Sequence, residues 1–158
     1  MIFRLLLIAV IACPVFSSGL FSAEQKTPWE TDYAAAAQRA EKENKILLLN
    51  FTGSDWCRPC KQLAVEIFET PEMAAYGRTR IVMVYVDFPR REELPPALKT
   101  QNDKLAEQFG VDSYPTVWVV AHDGTRLGSL GYMEGGPKTF IRAIERLAAK
   151  RAPPASQP

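Results

Sequence analysis

Two cysteines separated by two residues, Cys57 and Cys60, are the side chains of this chain best suited to chemistry. They belong to the segment Trp-Cys-Arg-Pro-Cys at residues 56–60, which follows the apolar run at residues 46–51. A strand followed by a helix would place these thiols one helical turn apart, where a disulfide closes with little backbone movement. The first thiol would lie at the positive end of the helix, which stabilises its thiolate. The spacing therefore predicts thiol–disulfide exchange.

Two other roles for the cysteine pair stay open. A structural zinc site needs four ligands, and His122 is the only histidine of the chain, so the usual sulfur and imidazole set is incomplete. A purely structural disulfide that closes so small a loop would constrain the unfolded chain little, because the entropic gain grows with loop length. Exchange chemistry is the favoured interpretation.

The first residues are typical of a secretory signal peptide. Arg4 precedes an apolar run at residues 5–12, and the small residues Ser-Ser-Gly follow at 17–19. We expect a leader at residues 1–23, one domain at 24–151 and a disordered tail at 152–158. The apolar run is shorter than the ~20 residues that span a bilayer, so no membrane span is predicted. Alternatively, Val-Ile-Ala-Cys at 10–13 is similar to a bacterial lipobox, and Cys13 would then carry a lipid anchor.

Composition sets limits on the partners. The chain has 158 residues with 47% hydrophobic content, enough for one well-filled core. Removal of Arg4 with the leader lowers the 19 basic residues to 18, equal to the 18 acidic residues. A neutral chain without a basic patch argues against a nucleic-acid partner. The leader implies export, with a periplasmic or cell-envelope location, and an exported protein with Cys57 and Cys60 as its only cysteines would avoid mispairing of its own thiols.

Hydrophobic periodicity predicts alternating helices and strands. A capping box at residues 27–30 predicts a helix that begins there and ends near Asn44. Apolar runs predict three strands and a fourth that pairs with the third in a hairpin. Apolar stripes of period 3.6 predict four helices after the first. The predicted strands are 46–52, 81–86, 116–121 and 126–131, and the helices are 57–68, one opened at 70–72, 103–109 and one opened at 135–137. This order predicts an α/β fold with a central mixed β-sheet flanked by helices.

The chain resembles the thioredoxin family. Its segment at 56–60 matches the family's Trp-Cys-x-Pro-Cys, and Tyr-Pro-Thr at 114–116 matches the active-site cis-proline followed by threonine. Phe-Gly-Val at 109–111, Asp-Gly at 123–124 and Gly131 also have equivalents, and the match covers about residues 29–150. The closest resemblance is to a secreted bacterial subgroup. It implies a thioredoxin fold, a redox-active Cys57–Cys60 disulfide, and no metal or other cofactor.

The resemblance also implies roles for the residues around the cysteines. Cys57, expected to be the more exposed, would attack a substrate disulfide as the nucleophile, and Cys60, one turn deeper, would resolve the mixed disulfide. Arg58 would favour the thiolate and Pro59 would fix the turn. Trp56 would shield the pair and offer an apolar contact surface.

A second segment is expected to bind the substrate. Pro115, if cis as in the family, would hold Tyr114 and Thr116 beside the sulfurs, so that an extended peptide can pair with their backbone. An ordinary proline at a strand start remains the alternative. The expected partners are protein thiols and disulfides together with an unidentified envelope redox protein, and the chain is expected to be a monomer.

Two departures from thioredoxin stand out. Asn50 occupies the position of a buried aspartate and cannot accept a proton, so deprotonation of Cys60 must use water or another carboxylate, of which Asp55 and Glu66 are nearest in sequence. Residues 52–55 contain one extra residue, and the stretch 90–99 is longer and carries Pro-Pro. That stretch is either a solvated charged loop or a partner-recognition segment.

The sequence thus favours a thiol–disulfide oxidoreductase of the cell envelope that reduces or exchanges protein disulfides. The alternative is a non-catalytic module that binds peptides or assists folding on the same fold. The natural substrate, the redox partner and the net direction of exchange are not encoded in any motif. His122, beside the predicted hairpin turn, is expected to be a surface residue.

Overall fold

The computed structural model describes residues 29–150. The predicted leader, the lipobox cysteine Cys13, residues 27 and 28 of the capping box, and the predicted tail lie outside the described residues.

A five-stranded mixed sheet forms the centre of the domain. Its strands follow the order β1-β3-β2-β4-β5. Strands β1 and β2 run parallel to β3, whereas β4 is antiparallel to both β2 and β5. The strands are β1 (Trp29–Glu30), β2 (Ile46–Thr52), β3 (Ile81–Asp87), β4 (Thr116–Val120) and β5 (Arg126–Leu130). The predicted mixed sheet is confirmed.

Helices cover both faces of this sheet because alternate strand residues are apolar on both sides. On one face, Leu49 and Val84 form a core with Ala36 and Leu105. On the other face, Leu48 and Met83 belong to a second core that also contains Phe140. The helices are α1 (Tyr33–Glu43), α2 (Arg58–Leu63), α3 (Pro71–Arg80), α4 (Pro96–Phe109) and α5 (Gly136–Ala149), and a π-helical segment, Ala64–Phe68, follows α2 directly.

The predicted start of the first helix is wrong. Trp29 and Glu30 form β1 and pair with Met83 and Val84. The helix begins only at Tyr33, because the Asp32 side chain accepts the backbone N–H of Ala35 at 3.0 Å. Trp29 instead packs edge-on against Phe68 and Tyr85, at ring-centroid distances of 5.0 and 5.6 Å. Burial of this indole outweighs the local capping signal.

Two other helices differ from their predicted form. Helix α4 begins at Pro96 rather than at residue 103, so the second part of the stretch 90–99 is helical and the connecting loop spans 88–95. Its first two turns are polar on the outside, which hides the helical period from the sequence. The cysteine-bearing helix ends at Phe68 as predicted, but its second half is π-helical. Gly110 ends α4 as expected, with a φ of 63°.

None of the helices within residues 29–150 is long and apolar enough to cross a membrane.

Candidate active site

The two cysteines sit where β2 passes into α2. Cys57 is the N-cap residue of α2, and Pro59 lies in the first turn, where its missing N–H costs no hydrogen bond. The backbone N–H of Cys60 donates to the Sγ of Cys57 at 3.2 Å. The two residues form a disulfide, and their Cα atoms are 5.3 Å apart. The spacing of the two thiols therefore allows the disulfide that the sequence predicts.

Both cysteines are buried to the same extent. Each exposes 4% of its surface, whereas Arg58 and Pro59 between them are exposed. The expectation that Cys57 is the more exposed is therefore wrong for the disulfide form. The reason is that Cys57 caps the helix with its own sulfur, which draws the side chain back over the first turn.

The segment 114–116 lies at the same end of the sheet as the cysteines. Thr116 is the first residue of β4 and pairs with Phe51, near the end of β2. The Tyr114–Pro115 peptide bond is cis, as the family resemblance implies. Gly131 lies against this segment, since a Cβ placed on it would be 3.8 Å from the Pro115 carbonyl oxygen.

The indole of Trp56 is held from several sides. Its Nε1 donates to the Phe88 carbonyl oxygen at 2.7 Å, and its ring meets the Tyr114 ring edge-on at 5.7 Å. The ring also lies over Gly53, where a Cβ would collide with it. The Cζ of Arg90 stands 3.9 Å from the ring centroid. Trp56 therefore joins the segment before Cys57 to the cis-proline segment and to the loop after β3.

The segment just before Cys57 is hydrogen-bonded to the end of β3 and to the loop 88–95. Ser54 donates to the Asp87 carboxylate through its backbone N–H at 2.9 Å and its hydroxyl at 2.6 Å. The Asp55 carboxylate accepts the backbone N–H of Arg90 at 3.0 Å and that of Arg91 at 2.6 Å. Desolvation works to raise the pKa of Asp55, but these two N–H groups, the backbone N–H of Asp55 itself and the charge of Arg91 together leave the pKa below its usual range.

Sequence reasoning missed this connection, although a signal was present. The extra residue in 52–55 and the lengthened stretch after β3 are the two departures from thioredoxin, and they contact each other in the folded chain. The extra residue before the cysteine motif and the lengthened stretch after β3 therefore form one structural unit. Of the expected substrate-binding residues, the structure brings Trp56 and Tyr114 into direct ring contact.

The two carboxylates expected to accept the proton of Cys60 are occupied by other hydrogen-bond donors. Asn50 exposes only 4% of its surface, and its Oδ1 has no hydrogen-bond partner among the described residues. The carboxylate of Asp55 is engaged by the loop, as described above. Glu66 accepts the hydroxyl of Tyr132 at 2.5 Å, which raises the pKa of that tyrosine. Both carboxylates proposed from the sequence thus already hold other donors.

A cleft of about 530 Å³ separates the loop 88–95 from α4. Phe88, Arg90 and Leu94 line it from the loop, and Asn102 lines it from the helix. Asn102 is buried and donates through Nδ2 to the Asp87 carbonyl oxygen at 2.9 Å, which fixes α4 to the end of β3. The helix wall of the cleft is therefore joined to the central sheet.

The described part of the chain contains no cluster of three or more Cys, His, Asp and Glu side chains that could hold a metal ion. His122 is half-buried beside the β4–β5 turn, which is more enclosed than the expected surface position.

Comparison with known proteins connects this geometry to a group of redox proteins. A family model described as a thioredoxin-like domain matches residues 33–148. The disulfide bond reductase DsbH of Chlamydia pneumoniae is 29% identical over 117 residues, which is 74% of this chain and 70% of that protein. The thioredoxin-related protein DsbJ of the same organism is 29% identical over 110 residues, and the match spans 32% of its length.

Solved structures show the same fold. A structure of the oxidoreductase DsbH matches with a TM-score of 0.75 and 28% identity, over 80% of this chain and 87% of that chain. The reduced C-terminal domain of Neisseria meningitidis DsbD matches with a TM-score of 0.55 and 28% identity, over 75% and 98%.

Proposed function

The chain belongs to the thioredoxin-like family and is a protein thiol–disulfide oxidoreductase, and from this premise we propose that it reduces protein disulfides in the cell envelope through Cys57 and Cys60. The reductive direction draws on its similarity to a disulfide bond reductase. The envelope location draws on the leader-like sequence of residues 1–23.

One observation carries the mechanism. The N–H of Cys60 points at the Sγ of Cys57 from the start of α2, at 3.2 Å. A donor in this position, together with the positive end of the helix, favours a thiolate on Cys57 in the reduced protein. Arg58, the next residue, is exposed and adds a positive charge nearby. Cys57 is therefore the nucleophile and Cys60 the resolving thiol.

The exchange proceeds in two balanced steps. The Cys57 thiolate attacks one sulfur of the substrate disulfide, an S–S bond forms between them, and the second substrate sulfur leaves as a thiolate. Cys60, once deprotonated by water, then attacks the Sγ of Cys57 and releases the first substrate sulfur. Two electrons pass from the protein to the substrate, and the protein is left with its Cys57–Cys60 disulfide. A second dithiol protein must reduce it for the next cycle.

Substrate binding is assigned to Trp56, Tyr114, Pro115 and Thr116. Strand β4 starts at Thr116, which pairs with Phe51 near the end of β2, so residues 114 and 115 lie just before the strand at the cysteine end of the sheet. These residues are partly accessible, and an extended peptide can pair with such a segment as an added strand. The Trp56 ring, anchored on Phe88 and Tyr114, supplies a rigid wall beside it.

An insulin reduction assay tests the catalytic assignment. Wild-type protein should accelerate precipitation of insulin by dithiothreitol, whereas Cys57→Ser should abolish the effect, since no nucleophile remains. Cys60→Ser should instead accumulate mixed disulfides on Cys57, visible as a mass increase that a reductant reverses. Equal activity of wild type and Cys57→Ser would identify a peptide-binding module rather than an oxidoreductase of this mechanism.

Direction and location need separate measurements. Pro59, rather than a charged residue, precedes Cys60, so the thiolate has little stabilisation beyond the helix terminus and Arg58. A glutathione titration should give a midpoint of roughly −270 to −200 mV, and a value near about −120 mV would indicate a disulfide donor instead. Fusion of residues 1–23 to a reporter active only after export tests the location. Light scattering on the purified domain tests the proposed monomer.

A further inference from the structure

We propose that Arg90 is a specificity-determining residue that binds a carboxylate of the protein substrate, a few positions from the substrate cysteine. This inference rests on the proposed reduction of protein disulfides and adds a preference for acidic sequence around the bond that is reduced.

The Arg90 side chain is fixed at both ends. Its guanidinium carbon stands 3.9 Å from the centroid of the Trp56 ring, which is within the range of a cation–π contact. Its backbone N–H is held by the Asp55 carboxylate at 3.0 Å. Asp55 and Trp56 are the two residues directly before Cys57, so the cation is attached to the redox segment itself. Such pre-organisation lowers the entropic cost of binding a ligand.

Arg90 forms no salt bridge with the residues that the structure describes. Within residues 29–150, the salt bridges join Arg39 to Glu30, Lys45 to Glu43 and Lys99 to Asp103, and Arg90 takes part in none of them. The Asp55 carboxylate contacts Arg90, but it accepts the backbone N–H groups of Arg90 and Arg91 rather than the Arg90 guanidinium.

The exposed guanidinium keeps donors for a ligand. Stacking on an aromatic face leaves the in-plane N–H groups of arginine unused, and these match the two oxygens of a carboxylate. Charge-assisted hydrogen bonds of this kind are about twice as strong as neutral ones. A carboxylate is therefore the chemical group that this arrangement fits.

The position of Arg90 places that carboxylate on the substrate. Tyr114, beside the cis-proline, meets the Trp56 ring at 5.7 Å, and Arg90 covers the same indole. A peptide bound along residues 114–116 therefore reaches Arg90 across one side chain. The cleft beside α4 is lined by Asp87, Glu92, Glu93 and Asp103 as well as by Arg90, so a substrate carboxylate reaches the exposed Arg90 guanidinium from the solvent side rather than through the cleft.

Two matched peptide disulfides test the proposal. They are identical except that the residues flanking the cysteine are glutamate in one and glutamine in the other, and reduction by the full reduced chain is followed at low salt. Wild type should reduce the glutamate peptide with a kcat/KM about twofold to fivefold higher, mainly through KM, in keeping with one solvent-exposed ion pair. Added salt should reduce the preference.

Variants of Arg90 test whether this residue causes the preference for the glutamate peptide. Arg90→Gln should bring the ratio of the two kcat/KM values close to one, and Arg90→Lys should restore only part of it, because lysine lacks the planar fork. Arg126→Gln is the matched control: Arg126 stacks over the Phe109 ring at 4.6 Å, on the β4–β5 hairpin, and its loss should leave the ratio unchanged.

The outcomes separate the two proposals. Equal kcat/KM of wild type for the two peptides, or a preference that survives in Arg90→Gln, overturns the role of Arg90. Failure of wild type to reduce the glutamine peptide at all would instead contradict the proposed function, since that peptide does not depend on Arg90.

Discussion

The carboxylate of Asp55 accepts the backbone N–H of Arg91 at 2.6 Å, across 36 residues of sequence. With the parallel bond from Arg90, this contact fixes the loop 88–95 onto the segment that carries Cys57.

Replacement of Asp55 by asparagine should destabilise the protein in a pH-dependent way. Desolvation works to raise the pKa of Asp55, but the backbone N–H groups of Arg90, Arg91 and Asp55 itself, with the charge of Arg91, together lower it in the folded state. Its ionised form therefore stabilises the fold above the unfolded-state value of about 4, and this contribution is lost as the pH falls through the folded-state pKa. Urea unfolding of Asp55→Asn and wild type should differ at pH 7 and converge in acid.

Asp103→Asn is a suitable control for the loss of a negative charge. Asp103 is exposed and pairs with Lys99 on the same helix, at 2.7 Å, and such pairs contribute about 0.3–0.5 kcal/mol. A stability gap for Asp55→Asn that stays constant between pH 7 and pH 3 would show that the carboxylate does not act through its charge.

Cys57 should be the first thiol of the reduced protein to react. Its sulfur accepts the N–H of Cys60 and caps α2, so its anion is stabilised, whereas Cys60 lies inside the helix. Brief treatment with iodoacetamide near neutral pH, followed by peptide mapping, should find the label on Cys57. Faster labelling of Cys60 would reverse the two roles.

Gly53→Ala should displace the Trp56 indole. A Cβ at Gly53 would lie 2.6 Å from the indole Nε1, and the ring cannot retreat freely because it is hydrogen-bonded to the Phe88 carbonyl oxygen and meets the Tyr114 ring edge-on. We expect a loss of about 1–3 kcal/mol in the free energy of unfolding, as for other overpacked sites, with a shift in tryptophan fluorescence.

Gly131→Ala provides the comparison for this variant. Among residues 29–150, a Cβ at Gly131 would meet the Pro115 carbonyl oxygen alone, at an ordinary contact distance of 3.8 Å. It should leave stability and fluorescence near wild type. If Gly53→Ala behaved in the same way, the observed packing of Trp56 on Gly53 would not be that of the molecule in solution.

Asn50→Asp should lower stability increasingly as the pH rises. Asn50 exposes 4% of its surface, so burial raises the pKa of a carboxyl placed there. A carboxyl whose folded-state pKa is raised is tolerated while protonated and destabilises the fold once the pH exceeds its unfolded-state value of about 4. The loss grows to about 1.4 kcal/mol for each unit of pKa shift. Urea midpoints at pH 4 and pH 8 would measure it, and a penalty independent of pH would contradict it.

Much of this protein follows from local sequence. The distance between the two thiols is set by two intervening residues and the helical pitch, so Cys57 and Cys60 could be paired without a structure. The apolar runs of β2 and β3 and the glycine that ends α4 are likewise local signals, and each lies where it was predicted. The family resemblance added the cis bond before Pro115.

Other features depend on contacts between distant residues, which no local pattern contains. Trp29 forms a strand rather than a helix because Met83 and Phe68 lie beside it in space. The hydrogen bonds from Asp55 and Trp56 to the loop 88–95 join residues 32 to 36 positions apart. They form only when the chain folds and brings the loop next to the cysteine segment. The sequence by itself thus determined the redox pair, whereas tertiary structure decided what surrounds it, because packing and long-range hydrogen bonds outweigh local propensity.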